Sequence, residues 1–361
     1  MGVTNIINIM TLYRKWRPDE FGGVVGQDHV TRTHMNALRN KRVAHAYLFY
    51  GSRGTGKTTV ARILAKALNC TDLQGGEPCN QCDSCQMINA KRSMDIMEID
   101  AASNRGIDDI RSLRDKVALY PSSGKYKVYI IDEAHMLTDA ASNALLKTLE
   151  EPPAHVVFIL ATTEPHKMAA TIRSRCQEHV FRRLSQTAIM GKLITICDGE
   201  GIEIDPLGLR LIAGHAEGSL RDAETVLEQL SAGGEPITVD QINDLFGISD
   251  SGQVNELVDC ILSGHAAQGL AIILRVSKEG LDLQRFAEDV TARLRDLLFV
   301  KSGAGSVLDV PQDVLEEMKE RVKNVDQVKI LKAARSFESA QFGVQGQKSL
   351  PLELAMVEAI I

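Results

Sequence analysis

The sequence lacks the features that would place it in a membrane or along a nucleic acid. No run among its 361 residues approaches the ~18–20 apolar residues that a membrane span requires. The apolar N-terminal stretch, 3–12, is broken by Thr4, Asn5, Asn8 and Thr11. It has neither a basic leader nor a small-residue cleavage site, so no signal peptide is expected. Met1-Gly2 does not continue into a myristoylation motif, because Ile6 stands where Ser or Thr is needed. Positive charge is not in excess: 41 Lys and Arg against 47 Asp and Glu leave a net charge of −6. That excludes a surface basic throughout and leaves any polyanion contact local or shared among subunits. Internal repeats and low-complexity segments are also absent. A cytoplasmic location is expected, in which the seven cysteines read as reduced thiols or metal ligands.

The chain is too long for one ordinary core, and its pattern predicts three units. Short apolar runs at 46–50, 128–131 and 156–160, with an alternating run at 94–99, predict buried strands. Ser142, Leu145, Leu146 and Leu149 fall at helical spacing before Pro152-Pro153, so strands and helices alternate as in a parallel sheet covered by helices. After about residue 183 the β pattern ends. Helical stretches follow at 185–200, 206–216, 219–232 and 239–246. A linker is predicted at 247–252, then helices at about 253–262, 266–278, 282–301, 311–322, 325–341 and 351–361. The expected domains are 1–183, 184–247 and 248–361.

Gly51-Ser52-Arg53-Gly54-Thr55-Gly56-Lys57-Thr58 follows a predicted strand and precedes the helical run 59–68 that opens with Thr59. This is the setting of a phosphate-binding loop: glycines let backbone N–H groups face phosphate oxygens at a helix N-terminus. Lys57 would reach the β- and γ-phosphates of a nucleoside triphosphate, and Thr58 would ligate Mg²⁺. Asp132 and Glu133 end another apolar run, where a parallel sheet opens its ligand crevice. Asp132 would hold Mg²⁺ through water, and Glu133 would polarise the attacking water. Asp132-Glu133-Ala134-His135 also spells a helicase box, but such motors need a second α/β domain, and no such pattern follows residue 184.

Cys70, Cys79, Cys82 and Cys85 lie within sixteen residues, between the loop and the carboxylates. Two C-x2-C turns and a cysteine returning from a helix end can converge tetrahedrally on Zn²⁺. A closed set of four thiolates points to structural and not catalytic zinc. Cys176, Cys197 and Cys260 are scattered and read as small apolar residues.

Further motifs complete a family pattern: Tyr13-Arg14-Lys15-Trp16-Arg17-Pro18 with Val24-Val25-Gly26-Gln27, 143–153, Ala161-Thr162-Thr163-Glu164-Pro165, Ser174-Arg175-Cys176 and Gly218-Ser219-Leu220-Arg221-Asp222-Ala223. With these, essentially the whole chain resembles the AAA+ ATPases and, within them, the tau/gamma clamp-loader family of bacterial DNA polymerase III. The resemblance implies an α/β fold, an AAA+ P-loop parallel sheet with an inserted zinc knuckle at 70–85, followed by an α-helical lid domain and an α-helical collar through which subunits oligomerise. It implies an ATPase, binding ATP and Mg²⁺, that opens a sliding clamp and loads it onto primed DNA. Implied partners are delta- and delta-prime-type subunits in a pentamer, the sliding clamp and primer–template DNA. The family's longer tau form carries further helicase- and polymerase-binding domains, for which these 361 residues leave no segment.

The same resemblance assigns residues. Thr163 would be a sensor of the water or γ-phosphate, although Thr at a strand end is also an ordinary cap. Arg175 would be an arginine finger acting on a neighbouring subunit's ATP, where an isolated Arg would read as surface charge. Arg221 would be a second sensor tying the lid to the nucleotide, with a helix-surface salt bridge as the alternative. Tyr13, Arg14, Trp16, Arg17, Pro18 and Val25 would include the adenine-pocket lining, though such residues are also ordinary core. Arg105 and Arg111, at a helix start, are candidates for template phosphates or solvated surface charges.

Overall fold

The computed structural model describes residues 11–104, 106–246, 251–308, 310, 312–340 and 349–361. They divide into one unit ending at Thr238 and another beginning at Val239. In chain order, the first unit opens with α1 (Leu12–Lys15), a 3-10 turn (Phe21–Gly23), α2 (Asp28–Arg39), β1 (Ala46–Gly51), α3 (Lys57–Asn69), α4 (Asp83–Asn89) and β2 (Ile96–Asp100). It continues with α5 (Ile107–Val117), β3 (Lys127–Asp132), α6 (Asp139–Glu150), β4 (Val156–Thr162), α7 (Ala170–Arg173) and β5 (Gln177–Phe181). The sheet order is β2-β3-β4-β1-β5, and every pairing is parallel.

Both faces of this sheet are covered, which is why its central strands are continuous apolar runs. One face sets Tyr47, Phe49, Val128, Ile130, Val157 and Ile159 against α2 and α3. The other sets Leu48, Tyr129, Ile131, Phe158 and Leu160 against α5, α6 and α7. The edge strand β5 has three exposed residues among five and no apolar run, so the sequence pattern did not single it out.

A helical unit follows within the same body: α8 (Gln186–Glu200), α9 (Pro206–His215) and α10 (Leu220–Ser231). Each has an N-cap side chain: Ser185 accepts from Ala188 N–H, Asp205 from Leu207 N–H, and Ser219 from Asp222 N–H. The second unit contains α11 (Val239–Phe246), α12 (Ser251–Ser263), α13 (Ala266–Lys278), α14 (Leu283–Lys301), α15 (Gln312–Val322), α16 (Gln327–Glu338) and α17 (Leu350–Ile360). Leu257, Ile273, Phe286, Val290, Leu294, Phe337 and Met356 are buried in its core. A Cβ on Gly269 would lie 1.9 Å from Met356 Cε, so glycine permits the approach of α13 and α17.

The expected linker, 247–252, begins outside the described residues, and its last two, Ser251 and Gly252, already belong to α12. Among the described residues, no helix is long and apolar enough to cross a membrane. Cys197 is buried, whereas Cys176 and Cys260 are half-buried and pack against the cores.

Two buried histidines meet under the sheet. His34 of α2 and His179 of β5 have ring centroids 4.4 Å apart, beside Tyr47 and Phe49. Neither Nε2 has a hydrogen-bond partner. Burial pushes His34 down to about 3, with His179 opposing its charge, and pushes His179 down to about 4, with His29 opposing. Such depressed bases bind fewer protons folded than unfolded. The stability they permit is complete above the ordinary value of 6.5 and is lost as pH falls toward the folded values. We expect His34→Phe to reduce the stability lost between pH 7 and pH 5 by on the order of 1–2 kcal/mol. Urea midpoints at the two pH values would check this, and an unchanged difference would contradict it.

Candidate nucleotide-binding site

The C-terminal ends of β1, β3 and β4 converge on the loop 51–56. Its glycines are required by geometry. Gly51, Gly54 and Gly56 have φ of +148°, +74° and +100°, and a Cβ would fall 2.1 Å from Phe181 O at Gly51 and 1.9 Å from Ser219 Oγ at Gly54. The first bond of the α3 ladder runs from Val60 N–H to Gly56 O. The amides of Lys57, Thr58 and Thr59 thus precede that ladder, the arrangement that receives an anion at a helix N-terminus. Lys57 is buried and donates to Gly51 O at 2.8 Å and Ser52 O at 2.7 Å. Burial lowers its pKa, opposed by the charges of Glu133 and Asp132. Ser52 O also accepts from Thr55 Oγ1, and Arg53 belongs to the same turn.

Opposite the loop, Thr58 Oγ1 donates to Asp132 Oδ2 at 2.8 Å. Burial raises the Asp132 pKa, against the hydrogen bonds from Thr58 and from Glu133 N–H. Glu133 has φ +48°, a left-handed conformation that takes its carboxylate out of the strand direction. Its Oε2 accepts from Thr163 Oγ1 at 3.1 Å and Thr163 N–H at 3.3 Å. His135 braces the group, with Nδ1 2.9 Å from Thr162 Oγ1 and Nε2 3.3 Å from Glu164 Oε1. Thr58, Asp132, Glu133 and Thr163 are therefore brought together.

The helices after β5 seat directly on the loop. Leu220 N–H, at the start of α10, donates to Gly54 O at 3.1 Å. The next residue, Arg221, places its guanidinium carbon 4.8 Å from the centre of the Tyr13 ring. Arg14 donates to Tyr13 Oη at 3.0 Å, and with a smaller contribution from Arg221 it holds the phenol below its ordinary value. Trp16 is committed to α8: Nε1 donates to Glu200 Oε1 at 2.6 Å, and a Cβ on Gly199 would lie 2.2 Å from its ring. Lys15 pairs with the same carboxylate at 2.7 Å. Arg17 and Val25 are half-buried, and Pro18 packs under Gly23.

Arg175 lies elsewhere. It follows α7 and bonds Glu150 Oε1 and Thr171 O, both at 2.6 Å. The first residue of β5, Gln177, pairs beside Tyr47, whereas Phe181 pairs beside Gly51. Roughly 13 Å of strand therefore separates the Arg175 end of the sheet from the loop. Arg111 is exposed and pairs with Asp108, and Arg105 lies outside the described residues.

The four cysteines close into one cluster. Their Sγ atoms lie within 4.8 Å of one another, compatible with tightening to the ~3.8 Å edges of a tetrahedral thiolate site with 2.3 Å bonds. Cys79 N–H donates to Cys70 Sγ and Cys82 N–H to Cys79 Sγ, the backbone donors that stabilise ligating thiolates. Gln81 and Cys82 N–H groups hold the Cys79 thiol below its ordinary value. Beneath it, buried Lys66 bonds Asn80 and Asn89 and fixes the module to α3.

Several site residues escaped the sequence reading. Gln27 is fully buried; its amide donates to Thr55 O and Arg182 O and accepts from Arg182 N–H, tying the N-terminal segment to the loop and β5. Its place in the Val-Val-Gly-Gln signature was visible, but its partners were not. Ser219 stood within the 218–223 motif, but its contact with Gly54 was not visible there, and Glu200 and Glu228, which accepts from Leu12 N–H, had no distinguishing spacing at all.

Comparisons with known proteins agree with this arrangement. Residues 26–185 match the family described as DNA polymerase III, delta subunit. Residues 188–235 match the clamp loader subunit ATPase lid domain of DNA polymerase III, and 237–333 match domain III of its gamma and tau subunits. The chain is 44% identical over 314 residues to DNA polymerase III subunit tau of Bacillus subtilis, covering 87% of this chain and 55% of that one. The chain belongs to the DNA polymerase III tau/gamma family. Another family member, subunit gamma/tau of Mycobacterium tuberculosis, is 41% identical over 96% of this chain and 62% of its own. The chain thus spans a little over half the length of these tau/gamma relatives. Its architecture, a five-stranded parallel sheet with a helical lid, is AAA+. A RuvB branch migration motor from Thermotoga maritima aligns at 17% identity with a TM-score of 0.49, over 74% of this chain and 86% of that one.

Trp16 is the one tryptophan of this tau/gamma chain, so its fluorescence reports the seating of α1 on α8. Glu200→Ala should shift its emission and destabilise the first unit by about 1–2 kcal/mol through loss of two charge-assisted hydrogen bonds. Emission spectra and thermal unfolding would check this; unaltered emission would show that Trp16 does not depend on Glu200.

Proposed function

We propose that this chain is an ATPase subunit of the DNA polymerase III clamp loader, in which ATP binding and hydrolysis drive opening of the sliding clamp and its loading onto primed DNA. The observation that carries the proposal is the contact of Thr58 with Asp132 at 2.8 Å, beside a Glu133 held by Thr163, on a loop able to receive phosphates. A loop serving only to grip nucleotide would not need that carboxylate pair.

The 51–59 backbone and Lys57 bind the triphosphate. Mg²⁺, held by Thr58 and through water by Asp132, would neutralise charge on the β- and γ-phosphates. Glu133 accepts a proton from the water that attacks the γ-phosphorus as ADP departs, and Thr163 fixes the carboxylate's position. Arg221 joins the lid to the phosphates. Tyr13, Arg14, Trp16, Arg17, Pro18 and Val25 form the base-side segment, with Trp16 acting through its hold on α8. Arg175 serves the ATP of a neighbouring subunit, consistent with its place at the far end of its own sheet. Cys70, Cys79, Cys82 and Cys85 bind structural Zn²⁺.

The proposed partners are delta- and delta-prime-type subunits in a pentamer, the sliding clamp and primer–template DNA, in the cytoplasm. The proposed domains are 1–183, 184–247 and 248–361, the last serving as the collar. Arg111 and Arg105 would be contacts to template phosphates.

Lys57→Ala in the assembled loader should lower ATP turnover at least about 100-fold and abolish clamp loading. Full loading by an assembly containing only this variant would refute the assignment. Arg175→Ala should bind ATP normally yet lose about 10³-fold of the turnover stimulated by clamp and primed DNA. A normal stimulated rate would show that Arg175 serves no neighbouring site. Elemental analysis should find stoichiometric zinc, lost in Cys85→Ser together with thermal stability; a metal-free protein of unchanged stability would remove zinc from the proposal.

A further inference from the structure

The cysteine module does more than close on itself. Between Cys70 and Cys79 the chain forms a short hairpin in which Gln74 and Glu77 exchange backbone hydrogen bonds, both 3.0 Å. Its tip rests on α2: Arg39 bonds Gly75 O, and a Cβ on Gly76 would lie 2.7 Å from Met35 O. From this braced position Glu77 reaches the N-terminal segment. Its Oε2 accepts from Phe21 N–H at 2.7 Å and its Oε1 from Gly22 N–H at 2.8 Å.

Those two amides open the 3-10 turn Phe21–Gly23, where N–H groups lack partners inside the turn. A carboxylate accepting both satisfies them with short, charge-assisted bonds. The segment that follows runs straight to the phosphate loop. Val24 is buried with Cγ1 3.9 Å from where a Cβ on Gly56 would stand, and Gln27 bonds Thr55 O. Preceding it, Pro18 packs against Gly23. The turn held by Glu77 is thus flanked on both sides by the residues assigned above to the base side of the nucleotide.

We propose that Glu77 is a positioning residue for nucleotide binding: the metal module uses it to fix the segment 18–25 against the phosphate loop, so that an ordered module is a condition for tight binding of the base but not of the phosphates. This inference rests on the reading of 13–25 as the base-side wall.

The experiment compares the full chain with Glu77→Gln and Glu77→Ala, after elemental analysis has shown unchanged zinc content in each. Hydrogen exchange at the Phe21 and Gly22 amides reads the anchor itself. Equilibrium binding of ATP and of inorganic tripolyphosphate, which lacks a base, reads the consequence. Exchange at the two amides should quicken in both variants, more in the alanine variant, because glutamine retains one acceptor oxygen. The Kd for ATP should rise about three- to ten-fold, as expected for loss of a charge-assisted hydrogen bond that is only partly coupled to the ligand, while that for tripolyphosphate stays the same. Stripping zinc from the unaltered protein should reproduce this split. Quickened exchange with unchanged ATP affinity would overturn the inference, as would an equal loss for both ligands. Failure of the unaltered protein to bind ATP at all would instead overturn the reading of the site on which the inference depends.

Discussion

The contact on which the rest depends is backbone on backbone: Gly54 of the phosphate loop against the first residues of α10. Leu220 N–H donates to Gly54 O, and any Cβ at Gly54 would strike Ser219. Two segments 165 positions apart in the chain, 54 and 219, thereby share one hydrogen bond and one van der Waals surface. The loop is thus tied directly to the start of α10, where Arg221 lies over Tyr13. Coupling between two sites requires such a shared element, whose arrangement both can bias.

Around that contact the charged groups are held in a low-dielectric crevice with partners that are all internal. Burial pulls Lys57 down and pushes Asp132 up, so each is a less willing ion than in water. Lys57 leans on two loop carbonyls and Asp132 on the Thr58 hydroxyl. These are neutral partners, weaker than a phosphate or a divalent cation. A triphosphate with its cation would offer both groups stronger partners than these. Glu133 differs: it is held off the loop by Thr163, and its strained φ keeps it there.

How much of this was legible in the sequence follows from the range of the interactions. The loop was legible because glycines at fixed spacing between a strand and a helix express a local geometric need, and Asp132 and Glu133 because they terminate an apolar run. The cysteine cluster was legible for the same reason: its spacing is local. Gln27 with Arg182, Trp16 with Glu200 and Leu12 with Glu228 span 155, 184 and 216 positions, and no local pattern can report them. The family resemblance puts Trp16 among the residues of the adenine-pocket lining, and its indole nitrogen bonds Glu200 of α8, a partner that no local pattern reports. The strand β5 was hidden by its polar, half-exposed edge, although it supplies the backbone oxygen that forbids a side chain at Gly51.

The placement of Arg175 would make the proposed engagement of a neighbour's triphosphate physically inexpensive. Its guanidinium is a third exposed and held by Glu150 and two groups of its own turn. Exposed ion pairs of this kind are worth about 0–1 kcal/mol, because water screens them and long side chains lose entropy in forming them. Exchanging Glu150 for a triphosphate in a drier interface would therefore cost little and gain a more highly charged partner. A cation buried in its own subunit would have to break strong bonds before it could act across an interface, whereas a fully free one would not be held in position. Arg175 lies between these limits, as its proposed role on a neighbour's triphosphate requires, whereas Arg221 lies close to its own loop.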